Sequence, residues 1–266
     1  MDGNPLDFWA AKALLDWQVE MGADEAVGDV PLNRYDLPAE APKPRPAAAQ
    51  PAAPEAEAAP VAAAAADPVA IARRMAAAAS TVDALAEAMA AFDYLELKKG
   101  ARNFVFADGV PGARVMIVGE APGQEEDREG RPFVGRAGQL LDRMFAAIGL
   151  SRTSPDTGKA LYITNVLPWR PPGNRTPEAG EIAMMLPFLQ RHIELAAPDI
   201  LVLMGNTPCQ AVLGRQGILK LRGEWTQACG RPVLPMTHPA YLLRNPAAKR
   251  EAWADLLTIA ARLEGA

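Results

Sequence analysis

Cysteine is nearly absent: Cys209 and Cys229 are the two in 266 residues. A disulfide framework or a four-thiolate metal site needs more, so both are excluded and the pair reads as ordinary packing residues. No apolar run is long enough to cross a bilayer, and the acidic opening MDGNP lacks the basic stretch with which a signal peptide starts. A cytoplasmic protein without membrane contact is the expectation. Also missing is an excess of positive charge, since the formal net charge is −5. Taken whole, that disfavours a nucleic-acid partner. Divided by region it does not: residues 1–97 hold 6 Lys and Arg against 16 Asp and Glu, and the remainder holds 21 against 16. A basic body behind an acidic leading part is compatible with a polyanionic partner.

Half the residues are apolar, enough for one good-sized core with a tail to spare. Within a leading segment of residues 1–37, the stretch 6–20 (LDFWAAKALLDWQVE) carries Phe8, Leu14, Leu15 and Trp17 at near-helical intervals. That predicts an amphipathic helix, docking on the body or on a protein partner through Trp9 and Trp17. Residues 38–68 contain 15 Ala and 8 Pro, a composition that buries too little to offset chain entropy and denies helix hydrogen bonds, so a disordered linker is expected. The body, residues 69–266, opens with helix to residue 92, its second piece starting at residue 82 behind a Thr81 or Ser80 cap. Strands are then predicted at 114–118, 161–166, 200–204 and 232–237. Helices are predicted at 136–149, 176–195, 207–213 and 240–263. This alternation specifies an α/β protein, a three-layer α/β/α sandwich around a central four-stranded, mainly parallel sheet.

Three strand-end stretches should meet at one edge of such a sheet, where ligands bind. The first, residues 119–141 (GEAPGQEEDREGRPFVGRAGQLL), is a strand-to-helix crossing whose glycines allow close approach. It is no phosphate loop: Glu125, Glu126, Asp127 and Glu129 would repel an anion, and no GK[ST] follows. It suits a neutral planar ligand, or a carboxylate beside developing positive charge. The second is 164–177 (TNVLPWRPPGNRTP) and the third 237–246 (THPAYLLRNP). Asn165 offers one amide donor and one acceptor in a fixed plane, although a strand-ending asparagine also serves as a turn former. Of the two histidines, His192 lies in a polar run (QRHIE) and is expected at the surface, leaving His238.

Together these three stretches closely resemble the three motifs of family 4 of the uracil-DNA glycosylase superfamily, over about residues 103–263. The resemblance implies a DNA glycosylase that flips uracil out of single- or double-stranded DNA, hydrolyses its N-glycosidic bond and leaves an abasic site for base excision repair. It also implies a monomer whose partner is uracil-containing DNA. Carried over residue by residue, it makes Phe133 the ring that stacks on uracil and Asn165 the amide that reads O4 and N3–H. Glu126 takes the position near C5 that excludes the thymine methyl, and backbone groups around Ala121 hold the base. Glu120 and Asn174 place the attacking water and support the sugar cation, while His238 donates to uracil O2 as it gains charge. Tyr241, Leu242, Leu243 and Arg244 occupy the place of a wedge into the base stack, and Arg170, Arg175, Arg222 and Arg244 are candidates for phosphate contacts.

The chain departs from that family at one place. The four cysteines on which family 4 members usually carry a [4Fe–4S] cluster fall at Phe92, Leu95, Trp169 and Met185. No cofactor and no metal are therefore expected, and an apolar plug should tie residues 92–97 to the loop at Trp169 and the helix at Met185. Other readings carried forward are a non-catalytic uracil or abasic-site binding module, a glycosylase for another deaminated base, and an enzyme of free nucleosides. The acidic loop and the YLLR turn weigh against the last.

Overall fold

Residues 67–265 are described in the computed structural model; the amphipathic stretch 6–20 and the linker through residue 66 lie outside them. The described part begins with a capped helix. Asp67 Oδ1 accepts from the Val69 N–H at 2.9 Å and Pro68 fills the first helical position, where its missing N–H costs nothing. Helix α1 (Pro68–Ala78) thus starts one residue before the predicted boundary, and α2 (Val82–Ala91) follows behind Thr81, whose hydroxyl accepts from the Ala84 N–H at 3.1 Å. A short α3 (Leu97–Gly100) leads to the sheet.

The sheet has six strands, β1 (Ala107–Gly109), β2 (Val115–Gly119), β3 (Leu161–Asn165), β4 (Ile200–Met204), β5 (Thr226–Ala228) and β6 (Arg231–Met236), in spatial order β1-β3-β2-β4-β6-β5. The four predicted strands are β2, β3, β4 and β6, all parallel. The four-strand expectation needs correcting at the edges, where β1 and β5 each add an antiparallel partner. Three residues such as ADG or TQA carry no alternation to read.

Every residue of β2, β3 and β4 is buried, as a parallel sheet covered on both faces requires. Alternate residues serve the two covers. Met116, Val118, Leu201 and Leu203 pack with α1, α2 and α6 (Ala179–Ala196); Val115, Ile117, Val202 and Met204 pack with α5 (Arg136–Ala146) and α10 (Lys249–Glu264). Each such aliphatic side chain contributes about 1.5–3 kcal/mol by leaving water. The predicted helix 240–263 is two: Pro246 bars the helical conformation at Asn245 (φ −125°, ψ 77°), so α9 (Pro239–Arg244) ends there and α10 begins after a 3₁₀ turn.

His192 is not at the surface. It is 1 % exposed on α6, its ring stacked on Phe106 at 4.4 Å between centroids and its Nε2 2.8 Å from the Tyr162 hydroxyl. Burial pushes its pKa down to about 3, so the ring is neutral. On the same face lies the plug. Phe92, Leu95, Trp169 and Met185 are all buried in one core cluster, with Phe92 edge-on to Phe188 at 5.5 Å and Phe104 against Trp169 at 5.2 Å.

Candidate active site

Register levels the carboxyl ends of the parallel strands, pairing Gly119 with Asn165 and Met204 with Met236. The chain leaves β2 for β3 on one side, while β4 stands on the other. A crevice opens at such a switch point. Here it is a cavity of about 590 Å³.

The 119–135 loop forms one wall, and its carboxylates act as stitches. Residues 124–129 fold as helix α4 (Gln124–Glu129), whose Glu126 accepts from the backbone N–H groups of Gly123 (3.1 Å), Val134 (3.0 Å) and Gly135 (2.8 Å). Asp127 accepts from those of Arg102 and Asn103 at 2.8 and 3.1 Å. Two of the loop's acids are thereby spent on holding it closed. Glu126 still faces the cavity, as do Ala121 and Phe133.

Phe133 is 5 % exposed and sits at φ +53°, a left-handed conformation costly for a bulky side chain. Three things hold it there. Arg152, a residue that no sequence pattern singled out, donates to the carbonyls of Pro132 and Phe133, each at 2.9 Å. Gly138 offers no Cβ where one would stand 1.8 Å from the Phe133 carbonyl oxygen. Gly119 does the same at the ring, where a Cβ would lie 2.5 Å from a Phe133 carbon and 2.3 Å from Asn165 Oδ1. Asn165 is 7 % exposed, lines the cavity, and makes no side-chain hydrogen bond among the described residues, so its amide is free for a ligand.

Across the cavity, the His238 ring stacks near Phe133 with centroids 5.4 Å apart. The Ala240 N–H donates to His238 Nδ1 at 3.2 Å, capping α9. Burial, then the nearby Arg244 charge, lower its pKa to about 4 against the opposing pull of Glu126. A neutral imidazole that accepts at Nδ1 carries its proton on Nε2. The fold thus presents an N–H donor, uncharged at neutral pH.

Glu120 lines the cavity, with Oε2 accepting from the Thr207 hydroxyl at 2.6 Å. Thr207, buried in the first turn of α7 (Asn206–Leu213), is a second partner that sequence reasoning missed. Asn174, at φ +58°, also faces the cavity and accepts from Arg170 Nε at 2.7 Å. Arg170 itself is not among the lining residues. Arg175 is, but its guanidinium donates twice to Glu181, at 3.0 and 2.6 Å, a pairing that raises its own pKa and lowers that of Glu181.

The wedge and one phosphate contact need correcting. Tyr241 and Arg244 line the cavity, whereas Leu242 is fully buried with Leu140 and Ala252, and Leu243 packs against the same cluster. Three-residue spacing puts 241 and 244 on one helix face and turns 242 inward. Arg222 is committed to the buried Asp255, with Nε 3.0 Å from Oδ2, and to the Glu251 carbonyl at 3.0 Å.

A family profile described as Uracil DNA glycosylase superfamily matches residues 106–257, more than half of the chain and every cavity residue named above. The chain belongs to the uracil-DNA glycosylase superfamily. Among its relatives, a type-4 uracil-DNA glycosylase of Thermotoga maritima is 42 % identical over 148 residues, covering 54 % of this chain and 73 % of its own. One from Archaeoglobus fulgidus is 36 % identical over 173 residues, 62 % of this chain and 84 % of its own. A DNA polymerase of Bacillus phage SP01 is 32 % identical over 157 residues, 59 % of this chain and 16 % of the polymerase.

The side chains at residues 92, 95, 169 and 185 are two aromatic rings, an isobutyl group and a thioether, packed together in the core. They do not fit an iron–sulfur cluster, which thiolates hold. Among the described residues no group of three or more His, Cys, Asp or Glu is placed to hold a metal, and no helix is long and apolar enough to cross a membrane.

Proposed function

We propose that this chain is a uracil-DNA glycosylase that hydrolyses the N-glycosidic bond of uracil turned out of DNA. One observation carries the reading: Glu120, Phe133, Asn165 and His238, spread over more than a hundred positions, line a single cavity. The superfamily membership and the type-4 relatives support it. Phe133 supplies a flat apolar face for the base. Asn165 supplies a donor and an acceptor matching N3–H and O4. Neither group distinguishes ground from transition state, so both set which base enters.

The rate comes from the other side. As the C1′–N1 bond breaks, its electron pair stays on uracil and negative charge builds on O2. The His238 Nε2–H is aimed there and, being neutral, needs no proton transfer to act; such a donor contributes about 10²- to 10³-fold. The sugar becomes cationic, and Glu120, with one oxygen fixed by Thr207, keeps the other for the incoming water. Water adds at C1′ and its proton passes by way of Glu120 to solvent. Asn174 assists at the sugar, and Glu126 closes the C5 side to thymine. The buried plug at residues 92, 95, 169 and 185 stands where other family 4 members use a metal cluster, and the chain works without iron.

An oligonucleotide with one uracil, single- or double-stranded, followed by alkali cleavage of abasic sites, tests this. Strand scission is expected with wild type. His238→Ala should release bound uracil at least about tenfold more slowly, and Asn165→Ala should lose at least about tenfold in kcat/KM, both while still binding single-stranded DNA. No scission with wild type, against intact binding, would sink the reading.

A further inference from the structure

We propose that the apolar groove between α5 and α10 receives an acidic amphipathic helix of a protein partner. The groove is separate from the cavity and independent of what that cavity cuts. It measures about 240 Å³ and is lined by Leu140 and Met144 of α5, Leu242 of α9, and Ala252, Trp253 and Leu256 of α10, with Lys249 as the one charged member. Large exposed apolar side chains are scarce among the described residues: they are Tyr94, Leu219, Trp253 and Leu257. Tyr94 and Leu219, the latter on the short helix α8 (Ile218–Leu221), stand singly and need no explanation. Trp253 and Leu257 are different. Four positions apart on α10, they share one helix face at 43 % and 48 % exposure, and Trp253 is itself part of the groove wall. An apolar groove continuous with an exposed tryptophan is a patch of the kind that marks an interaction site, and tryptophan is among the residues that most often anchor one.

Two neighbouring helices leave a groove that a third helix fills. Along α10 the lining runs from Lys249 to Leu256, two turns or about 10 Å of helix axis. Apolar side chains at i, i+3, i+4 and i+7 of an incoming helix span the same length. The floor is firm, with Leu242 at 0 % and Leu140 at 8 % exposure, and the flexible thioether of Met144 adapts the wall to what enters. Helix α9 turns Leu242 to the groove and Tyr241 and Arg244 to the cavity. An occupant therefore lies behind α9 and leaves the cavity open.

Charge selects the partner. Beside Lys249 in the lining, Arg250 and Arg143 are exposed next to lining positions. The acids of the two helices are engaged or turned away. Asp142 accepts from Arg152, and Asp255 is buried against Arg222. Glu251 stands two positions from both Lys249 and Trp253, a spacing that puts it on another side of the helix, and Glu264 lies two turns beyond Leu256. Carboxylates flanking the apolar face of an incoming helix thus meet three cations. DNA shares the charge but offers no apolar ridge to fill the groove.

The test titrates a fluorescein-labelled synthetic helix with the full chain and reads anisotropy. The helix carries leucines at i, i+3, i+4 and i+7 and glutamates elsewhere, and a copy carries lysine for every glutamate. Saturable binding of the glutamate helix is expected, at least about tenfold tighter than that of the lysine copy and weaker as salt is raised. Trp253→Ala, an exposed truncation, should lose about tenfold in affinity at an unchanged unfolding midpoint, and Trp253→Phe should keep most of the wild-type affinity. Lys249→Glu combined with Arg250→Glu should invert the preference between the two helices. No saturable binding, equal binding of both helices, or wild-type affinity in Trp253→Ala overturns the proposal. So does displacement of the peptide by uracil-free duplex DNA, which would make the groove a DNA surface. A dimer in sedimentation that Trp253→Ala dissolves overturns it too, since the groove would then be covered by a second copy of the chain.

Discussion

Arg152 spends its whole guanidinium on posture. Two of its hydrogen bonds go to the Pro132 and Phe133 carbonyls, and others to Asp108 (3.0 Å) and Asp142 (2.8 Å), with the side chain 9 % exposed. It holds a phenylalanine in a backbone conformation that it would otherwise leave. Arg152→Lys keeps the charge but not the fork, so the ring should drift. We expect kcat for uracil release to fall by about tenfold to a hundredfold, as misplacement of a positioning group does, with DNA affinity within about twofold of wild type. An unchanged kcat beside a lowered Tm would make Arg152 a structural residue alone. Neither this residue nor Thr207 was legible in the sequence, because each acts on groups far along the chain, Thr207 on Glu120 87 positions away. His238 was legible as a residue but not as a tautomer, which depends on where the Ala240 N–H falls. His192 was misread because a polar run describes a neighbourhood in sequence, whereas helix phase turned that one position onto Phe106 and Tyr162.

At the level of elements, long buried strands declared themselves through unbroken apolar runs, and their ends fixed the edge at which the site forms. Edge strands of three residues did not, nor did the break before Pro246, where helical spacing continues across a proline that local geometry forbids. The plug joins α6, the Trp169 loop and the segment after α2 through Met185, Trp169, Phe92 and Leu95. Its stabilisation comes from contact alone. Met185 is 0 % exposed, so Met185→Ala should destabilise by about 2–5 kcal/mol in urea unfolding. Purified wild type should be folded with no stoichiometric iron and no visible charge-transfer band, and a chelator should leave its unfolding midpoint unmoved. Iron at one cluster per chain, or unfolding on chelation, would refute the account.

The molecule as a whole titrates through its interior. His192 has an ordinary value of 6.5 in the unfolded chain and about 3 in the fold. Between those values the unfolded chain binds a proton that the folded one refuses, so stability is untouched above pH 6.5 and falls as pH drops through the window. Lowering pH from 7 to 5 should cost about 2 kcal/mol from this residue, at about 1.4 kcal/mol per pH unit. His238, depressed for the same reason, acts in the same direction. Urea midpoints at pH 7 and 5 should fall steeply for wild type and less steeply for His192→Gln. Parallel falls in the two proteins would show that the buried ring is not the source. The sandwich was readable from alternation alone, and the residues that gather at the cavity from the motifs; how the interior charges was not, since burial is a property of the folded chain.

The width of the slot is drawn at Gly119. A methyl there would collide with both the Phe133 ring and the Asn165 amide, so on the proposed uracil reading the backbone itself is the gauge against which a base is measured. Searches for function that look for reactive groups pass over such a position. In this chain the aperture is cut by a residue that has nothing to react with.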